Sequence, residues 1–140
     1  MLDVEKARTF TLRRIVFGDM LLNWFLGAAL SFFPALVDGL LGRAPLAPPI
    51  AYRVIGVLFL LFAAWQTFIV VHRQLGVGAL LFAALMALVP VVLLTVLLLF
   101  MSLPLRIGWR IVLWVGDIYM LFLGCWYLFL AVALRRTPQP

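Results

Sequence analysis

The stretch GALLFAALMALVPVVLLTVLLLFMS, residues Gly78–Ser102, decides the fold, because it contains no charged side chain and is long enough to cross a membrane. A helix needs about 20 apolar residues to cross a hydrocarbon core of roughly 30 Å. Three further apolar runs surround it, at about residues 15–33, 51–71 and 111–134. Backbone polar groups in lipid must be paired within the protein, so each run is predicted to be a continuous helix. The sequence thus predicts an all-α membrane protein, a four-transmembrane-helix bundle forming one domain over residues 1–140.

The composition agrees with this prediction and limits the partners. The chain is 67% hydrophobic and 11% charged, with a mean hydropathy of +1.22. Its net charge of +6 could suggest nucleic acid, but the basic residues stand at the ends of the apolar runs. A nucleic-acid interface would gather them on one soluble element. We therefore expect the lipid bilayer, and not nucleic acid, as the medium that this chain contacts.

The distribution of lysine and arginine predicts the orientation, because the cytoplasmic side of a membrane protein carries the larger number of them. With four spans, both termini lie on one side. That side carries seven basic residues: Lys6, Arg8, Arg13, Arg14, Arg73, Arg135 and Arg136. The other side carries four: Arg43, Arg53, Arg106 and Arg110. Both termini are predicted to be cytoplasmic, in the inner (cell) membrane of a bacterium or archaeon.

Three segments outside the spans carry weaker predictions. The opening, residues 1–12, is either a short amphipathic helix at the membrane interface or a frayed tail. The outer loop, residues 34–50, is rich in proline, and we expect a helical turn ending at Gly42 followed by an extended stretch. The closing TPQP, residues 137–140, is expected to be disordered.

Asp19, in the first span, is the leading candidate for a functional residue. A carboxylate inside a membrane helix costs roughly 2.5–3.5 kcal/mol to insert, so such a residue usually has a partner or a function. Asn23 lies one turn further on the same helix face. Gln66 and His72 are expected at a comparable depth, and the possible partners of Asp19 are Arg14, Gln66, His72 and Arg73. We expect structural pairing, with a protonatable transport site as the alternative.

Asp117, in the fourth span, is predicted to belong to a different layer of the membrane. It lies roughly 10 Å from the outer boundary by helical rise, whereas Asp19 lies about 7.5 Å from the inner one. Arg53 begins the second span at the level of Asp117. Its planar guanidinium suits a desolvated carboxylate, so an Arg53–Asp117 ion pair is predicted. The two aspartates are not expected to form one catalytic pair.

No pattern of side chains predicts catalysis, a cofactor or a metal. The chain has one histidine, His72, and one cysteine, Cys125, so it lacks the ligands of a protein-only zinc site. Cys125 is interpreted as a small residue in a helix interface. Phosphate loops, nucleophile elbows and HExxH motifs are absent from the sequence.

Two resemblances add expectations of their own. The segments Arg14–Gly18 and Tyr52–Gly56, together with Pro34, resemble the DoxX-like group of small four-helix membrane proteins over roughly the first half of the chain. This resemblance implies a compact helical bundle that is an accessory subunit of a respiratory or redox system. The acidic residue in the first span is similar to that of the small multidrug exporters, although Asp19 is an aspartate and lies shallower than mid-membrane.

The sequence therefore favours a small non-enzymatic membrane protein, an accessory or structural subunit of a larger membrane complex. Its expected partners are membrane proteins or further copies of itself. One alternative is a homodimeric small transporter or channel with Asp19 as its protonatable site. Another is a quinone-linked redox helper.

Overall fold

All the regular secondary-structure elements in the part that the structure describes are α-helices. The computed structural model describes the backbone of residues 2–72 and 76–135, and the side chains from residue 13 onward. No strand occurs within these ranges, only an isolated bridge between Gly42 and Leu105. The helices are α1 (Leu2–Phe32), α2 (Pro34–Leu41), α3 (Pro49–His72), α4 (Val77–Phe100) and α5 (Ile107–Arg135).

Four of these helices are long and apolar enough to cross a membrane, as the sequence predicts. The qualifying segments are residues 13–32, 49–72, 77–100 and 107–135. The last begins four residues before the predicted start at Ile111, because Trp109 and Arg110 continue the helix. Both side chains suit the interface, where aromatic rings collect and long basic chains reach toward the headgroups. Composition therefore predicted which segments are helical better than it predicted their ends.

The opening of the chain is the beginning of the first long helix. Residues 2–12 belong to α1 and run without a break into the first apolar segment. They are therefore helical and lead into the first span, as one of the two alternatives predicts, and do not form a frayed tail. Arg73 and the closing residues 136–140, on which other predictions were made, lie outside the described residues.

The proline-rich connection has the predicted division into a helical and an irregular part. Pro34 occupies the first position of α2, where a missing N–H costs no hydrogen bond, and the helix ends at Leu41. The backbone N–H of Gly42 donates to Asp38 O at 2.9 Å, and that of Leu46 donates to the Asp38 carboxylate at 3.0 Å. The helical turn ending at Gly42 is confirmed.

The contacts divide the chain into two compact units. The first comprises residues 1–37 and 47–74, and the second comprises residues 38–46 and 75–140. Each unit is built on one pair of long helices: α1 with α3, and α4 with α5.

In the first unit, α1 and α3 run antiparallel. Asp19, near the middle of α1, bonds to Gln66, late in α3, whereas Gly27, two turns further along α1, lies against the earlier Leu60. The buried apolar side chains of this pair are Val16, Met20, Tyr52, Ala63 and Ile69.

In the second unit, α4 and α5 are likewise antiparallel. Thr95, late in α4, bonds to Asp117, early in α5, and the earlier Leu88 lies against the later Gly124. Pro90 lies inside α4, which nevertheless continues to Phe100. Small and aliphatic residues fill the interface: Leu80, Ala83, Ala84, Ala87, Val91, Leu98, Leu123, Leu130 and Ala131, together with the fully buried Tyr127.

Candidate functional site

Three of the four polar residues predicted to lie together form one buried cluster in the first unit. Gln66 Nε2 donates to Asp19 Oδ2 at 2.6 Å, and Asn23 Nδ2 donates to Asp19 Oδ1 at 3.3 Å. Asn23 Nδ2 also donates to Gln66 Oε1 at 3.0 Å, which closes a triangle. The exposed fractions are 2% for Asp19, 2% for Asn23 and 1% for Gln66. We call these three residues the amide–carboxylate cluster.

The hydrogen bonds of this cluster are well matched. A carboxylate has only acceptors and each side-chain amide has two donor hydrogens. Both oxygens of Asp19 accept a bond, and Asn23 donates two. In a low-dielectric interior such a network is rigid when all its members are paired, and each unpaired member would be costly. The arrangement therefore stabilises the contact between α1 and α3.

Two glycines allow the helices to come close enough for these short side chains to meet. A Cβ added at Gly27 would lie 2.9 Å from the backbone nitrogen of Leu60. A Cβ added at Gly56 would lie 2.6 Å from the backbone nitrogen of Ser31 and 2.9 Å from Gly27 O. Small residues that let two backbones approach, with polar bonds between the helices, are the usual basis of helix association in membranes.

A second polar contact joins the same helices beside the cluster. Trp24 Nε1 donates to Thr67 Oγ1 at 3.1 Å, and Thr67 Oγ1 donates to its own helix at Ala63 O, 2.8 Å away. Unlike the cluster, this bond lies at an exposed position. Sequence reasoning missed both residues, although Trp24 follows Asn23 directly and Thr67 follows Gln66 directly.

His72 lies at the last position of α3, outside the amide–carboxylate cluster. It is exposed, and its ring lies 4.4 Å from that of Phe68, tilted by 48°. Six residues separate it from Gln66, which is about 9 Å along a helix. The structure thus unites Asp19 with Asn23 and Gln66 and places His72 near the helix end.

Asp117 has a different environment in the second unit. Its Oδ2 accepts a bond from Thr95 Oγ1 at 2.6 Å, and the residue is 4% exposed. Its Oδ1 is buried and has no hydrogen-bond partner in the part of the chain that the structure describes. Sequence reasoning missed Thr95, although it is the one side chain of α4 with a strong hydrogen-bonding group.

The predicted ion pair between Arg53 and Asp117 concerns residues in different units. Arg53 belongs to the first unit and Asp117 to the second. The pair therefore stays a prediction. Asp19 and Asp117 each bond to partners within their own unit.

The remaining candidate groups form no larger site. Within residues 13–72 and 76–135, no three His, Cys, Asp or Glu side chains are grouped so that they could hold a metal ion. Cys125 is exposed, so the prediction that it lies in a helix interface is wrong. The neighbouring Gly124 lies in the interface instead, against Leu88. Ser31 Oγ and Trp126 Nε1 are buried without a hydrogen-bond partner among the described residues.

Comparison of the chain with protein-family models, with curated proteins and with solved structures gives no match. The resemblances to the DoxX-like group and to the small multidrug exporters therefore stay predictions.

Proposed function

We propose that this protein is a non-enzymatic integral membrane protein that acts as an accessory or structural subunit of a larger membrane complex. The observation that carries the proposal is the amide–carboxylate cluster. Its three side chains are the most polar groups buried in the first unit, and they bond to one another across α1 and α3. A substrate site needs polar groups that face a ligand, whereas these face each other.

The kind of complex is proposed from the resemblance alone. A respiratory or redox assembly in the inner membrane of a bacterium or archaeon is the class that the DoxX-like segments imply. Such a complex would contact the apolar faces of the helices in the bilayer. Among the exposed apolar side chains are Phe25, Leu58 and Leu61 in the first unit and Val92, Leu99 and Phe122 in the second.

The direct test is the mass of the particle in its own membrane. The chain, tagged at its native locus, is extracted in native lipid discs and its particle is weighed. A subunit predicts a particle much heavier than the 15.8 kDa chain, with a second protein in fixed ratio. It also predicts that deleting the chain lowers the abundance of that second protein. Particles containing only this chain would refute the subunit role.

A transporter with Asp19 as its protonatable site is the second candidate, because this carboxylate is buried within a span. The occupation of both its oxygens by amide donors favours the structural role. Proton-coupled flux into liposomes distinguishes the transporter from the structural role. We expect no flux above that of empty liposomes. Flux that Asp19→Asn abolishes and the control Asp38→Asn preserves would establish the transporter instead.

We propose that both termini lie in the cytoplasm, on the basis of seven basic residues against four. Fusions of a fluorescent protein and of alkaline phosphatase test this orientation. With the reporter after Pro140, we expect fluorescence and no phosphatase activity. With the reporter inserted after Ala47, in the outer loop, we expect the reverse. Phosphatase activity at Pro140 would invert the orientation.

A further inference from the structure

The connection between α2 and α3 lies against the start of α5 through backbone hydrogen bonds within the second unit. The N–H of Arg43 donates to Pro104 O at 2.8 Å, and the N–H of Arg106 donates to Leu41 O at 3.0 Å. Between these two bonds, Gly42 and Leu105 form the isolated antiparallel bridge. Residues far apart in the chain are thereby held at one end of the α4–α5 pair.

This pairing brings three arginines together. Arg43 follows Gly42 in one segment and Arg106 follows Leu105 in the other, and Arg106 Nε donates to Gly42 O at 3.3 Å. Arg110 lies one helical turn after Arg106, and its N–H donates to Arg106 O at 3.0 Å. Arg106 directly precedes α5, and Arg110 lies in the first turn of that helix. All three side chains are exposed. We call Arg43, Arg106 and Arg110 the arginine cluster.

The cluster has an excess of positive charge. The paired segments, residues 38–46 and 101–110, contain one acidic residue, Asp38, against three arginines. The Oδ1 of Asp38 accepts a hydrogen bond from the Leu46 N–H. A guanidinium can donate two parallel hydrogen bonds to phosphate oxygens. Several arginines in one place therefore favour the binding of a phosphate group.

The surroundings of the cluster suit a lipid better than a dissolved anion. The cluster lies where α4 ends and α5 begins, at the boundary of two membrane-spanning segments. The adjoining apolar side chains are exposed, Phe100 by 80% and Ile107 by 70%. Trp109, between two of the arginines, is of the type that collects at headgroup level. A phosphate with acyl chains attached would contact both kinds of surface at once.

We propose that the arginine cluster binds the phosphate headgroup of an anionic phospholipid, with the acyl chains lying along the exposed apolar residues at the ends of α4 and α5. This site is independent of the proposed subunit role. It uses neither the amide–carboxylate cluster nor any protein partner.

The test compares lipids and variants on the full chain. The protein is purified in a neutral detergent and titrated with phosphatidylglycerol, phosphatidylcholine or inorganic phosphate, and bound lipid is counted by native mass spectrometry. We expect one tightly bound phosphatidylglycerol. Basic residues at an anionic surface contribute roughly fivefold each in affinity, so Arg43→Gln with Arg110→Gln should weaken phosphatidylglycerol binding about 25-fold.

Three controls keep the outcome decisive. Arg135→Gln, at the opposite end of α5, should leave the binding unchanged. The charge-preserving pair Arg43→Lys and Arg110→Lys should weaken binding less than the double glutamine variant, because it keeps the charge and loses only the parallel hydrogen bonds of the guanidinium. Circular dichroism should show unchanged helix content in every variant. If the double glutamine variant does not fold, each single variant should still lose about fivefold.

Equal affinity for phosphatidylglycerol and phosphatidylcholine would overturn the proposal, as would unchanged binding in the double glutamine variant. Competition by inorganic phosphate at the same concentration as the lipid would show a free-anion site and also overturn it.

Discussion

Asp19 and Asp117 are the same residue type, each follows a glycine in a membrane-spanning helix, and they are almost equally buried, at 2% and 4% exposed. Their partners differ. Both oxygens of Asp19 accept bonds from amides, whereas Asp117 accepts one bond from Thr95 and keeps a buried oxygen without a hydrogen-bond partner among the described residues. Burial alone therefore does not tell what a carboxylate in a membrane contributes.

The glycines of the two units differ in a parallel way. In the first unit a Cβ at Gly27 or Gly56 would meet backbone atoms of the facing helix. In the second, the three atoms nearest to a Cβ at Gly124 would be side-chain atoms, those of Leu88 at 2.6 and 2.7 Å and of Ala87 at 3.4 Å. The α1–α3 pair thus combines backbone-to-backbone approach with paired polar groups. The α4–α5 pair relies more on apolar packing, in which the Thr95–Asp117 hydrogen bond is embedded.

The largest difference between the units is expected on removal of the carboxylates. Asp19→Ala leaves Asn23 and Gln66 with unpaired buried donors, which should lower the free energy of unfolding by about 2–4 kcal/mol. Asp117→Ala should cost about 1 kcal/mol or less, because the freed Thr95 hydroxyl can bond to its own helix backbone. Unfolding by sodium dodecyl sulfate in mixed micelles, followed by tryptophan fluorescence, measures both.

This comparison also tests the ion pair predicted between Arg53 and Asp117. Breaking a buried ion pair typically costs about 3–5 kcal/mol. If Asp117→Ala lowered the free energy of unfolding as much as Asp19→Ala, the two carboxylates would contribute equally. That result would favour the Arg53–Asp117 ion pair.

The next largest effect concerns the close approach of α1 and α3. Gly56→Ala places a methyl group against Ser31 Oγ and against backbone atoms that cannot move independently. We expect a loss of about 1–3 kcal/mol, as for other overpacked interiors. Gly116→Ala is the matched control, because a Cβ there meets nothing within 4 Å. A Gly56→Ala variant as stable as the control would contradict the close approach of α1 and α3 at Gly56.

A smaller loss is expected from the same substitution in the second unit. Gly124→Ala crowds Leu88, whose side chain can change rotamer, so the loss should stay below that of Gly56→Ala and within about 1 kcal/mol. The same unfolding assay on both variants gives the comparison directly. The reverse order would mean that α4 and α5 are the more tightly constrained pair.

The smallest effect is predicted for Thr95→Val, which keeps the shape of the side chain and removes its bond to Asp117. Hydrogen bonds between membrane helices average about 0.6 kcal/mol and reach about 1.7 kcal/mol. We expect a loss near this average. The control is Thr67→Val, whose bond with Trp24 on the facing helix lies at an exposed position. A larger loss for Thr67→Val would contradict the ranking.

The sequence predicted the helices because the requirement behind them is local. A long apolar run in lipid must pair its own backbone, so a helix was predicted over residues 78–102, and α4 covers this run up to Phe100. The helix ends were less predictable. Residues 2–12 continue α1, and α5 starts at Ile107, because polar and aromatic residues at an interface neither require nor prevent another helical turn.

The amide–carboxylate cluster could be predicted in part, because the spacing of residues along one helix is also a local property. Asp19 and Asn23 share a helix face by their spacing, and Gln66 was expected near their depth. The Thr95–Asp117 bond and the Gly27–Leu60 contact depend on which helices pair and in what register. A sequence of nearly uniform apolar residues does not show which helices pair or in what register. Thr95 differed from its neighbours in α4, but nothing in the sequence named its partner.

The buried polar groups of the first unit hold α1 and α3 together. A double-mutant cycle on Asp19→Ala and Gln66→Ala measures their coupling in the free energy of unfolding. With a charge-assisted bond of 2.6 Å between them, we predict a coupling of about 1–2 kcal/mol, at the top of the range for membrane helices. Additive losses, with a coupling near zero, would contradict the account.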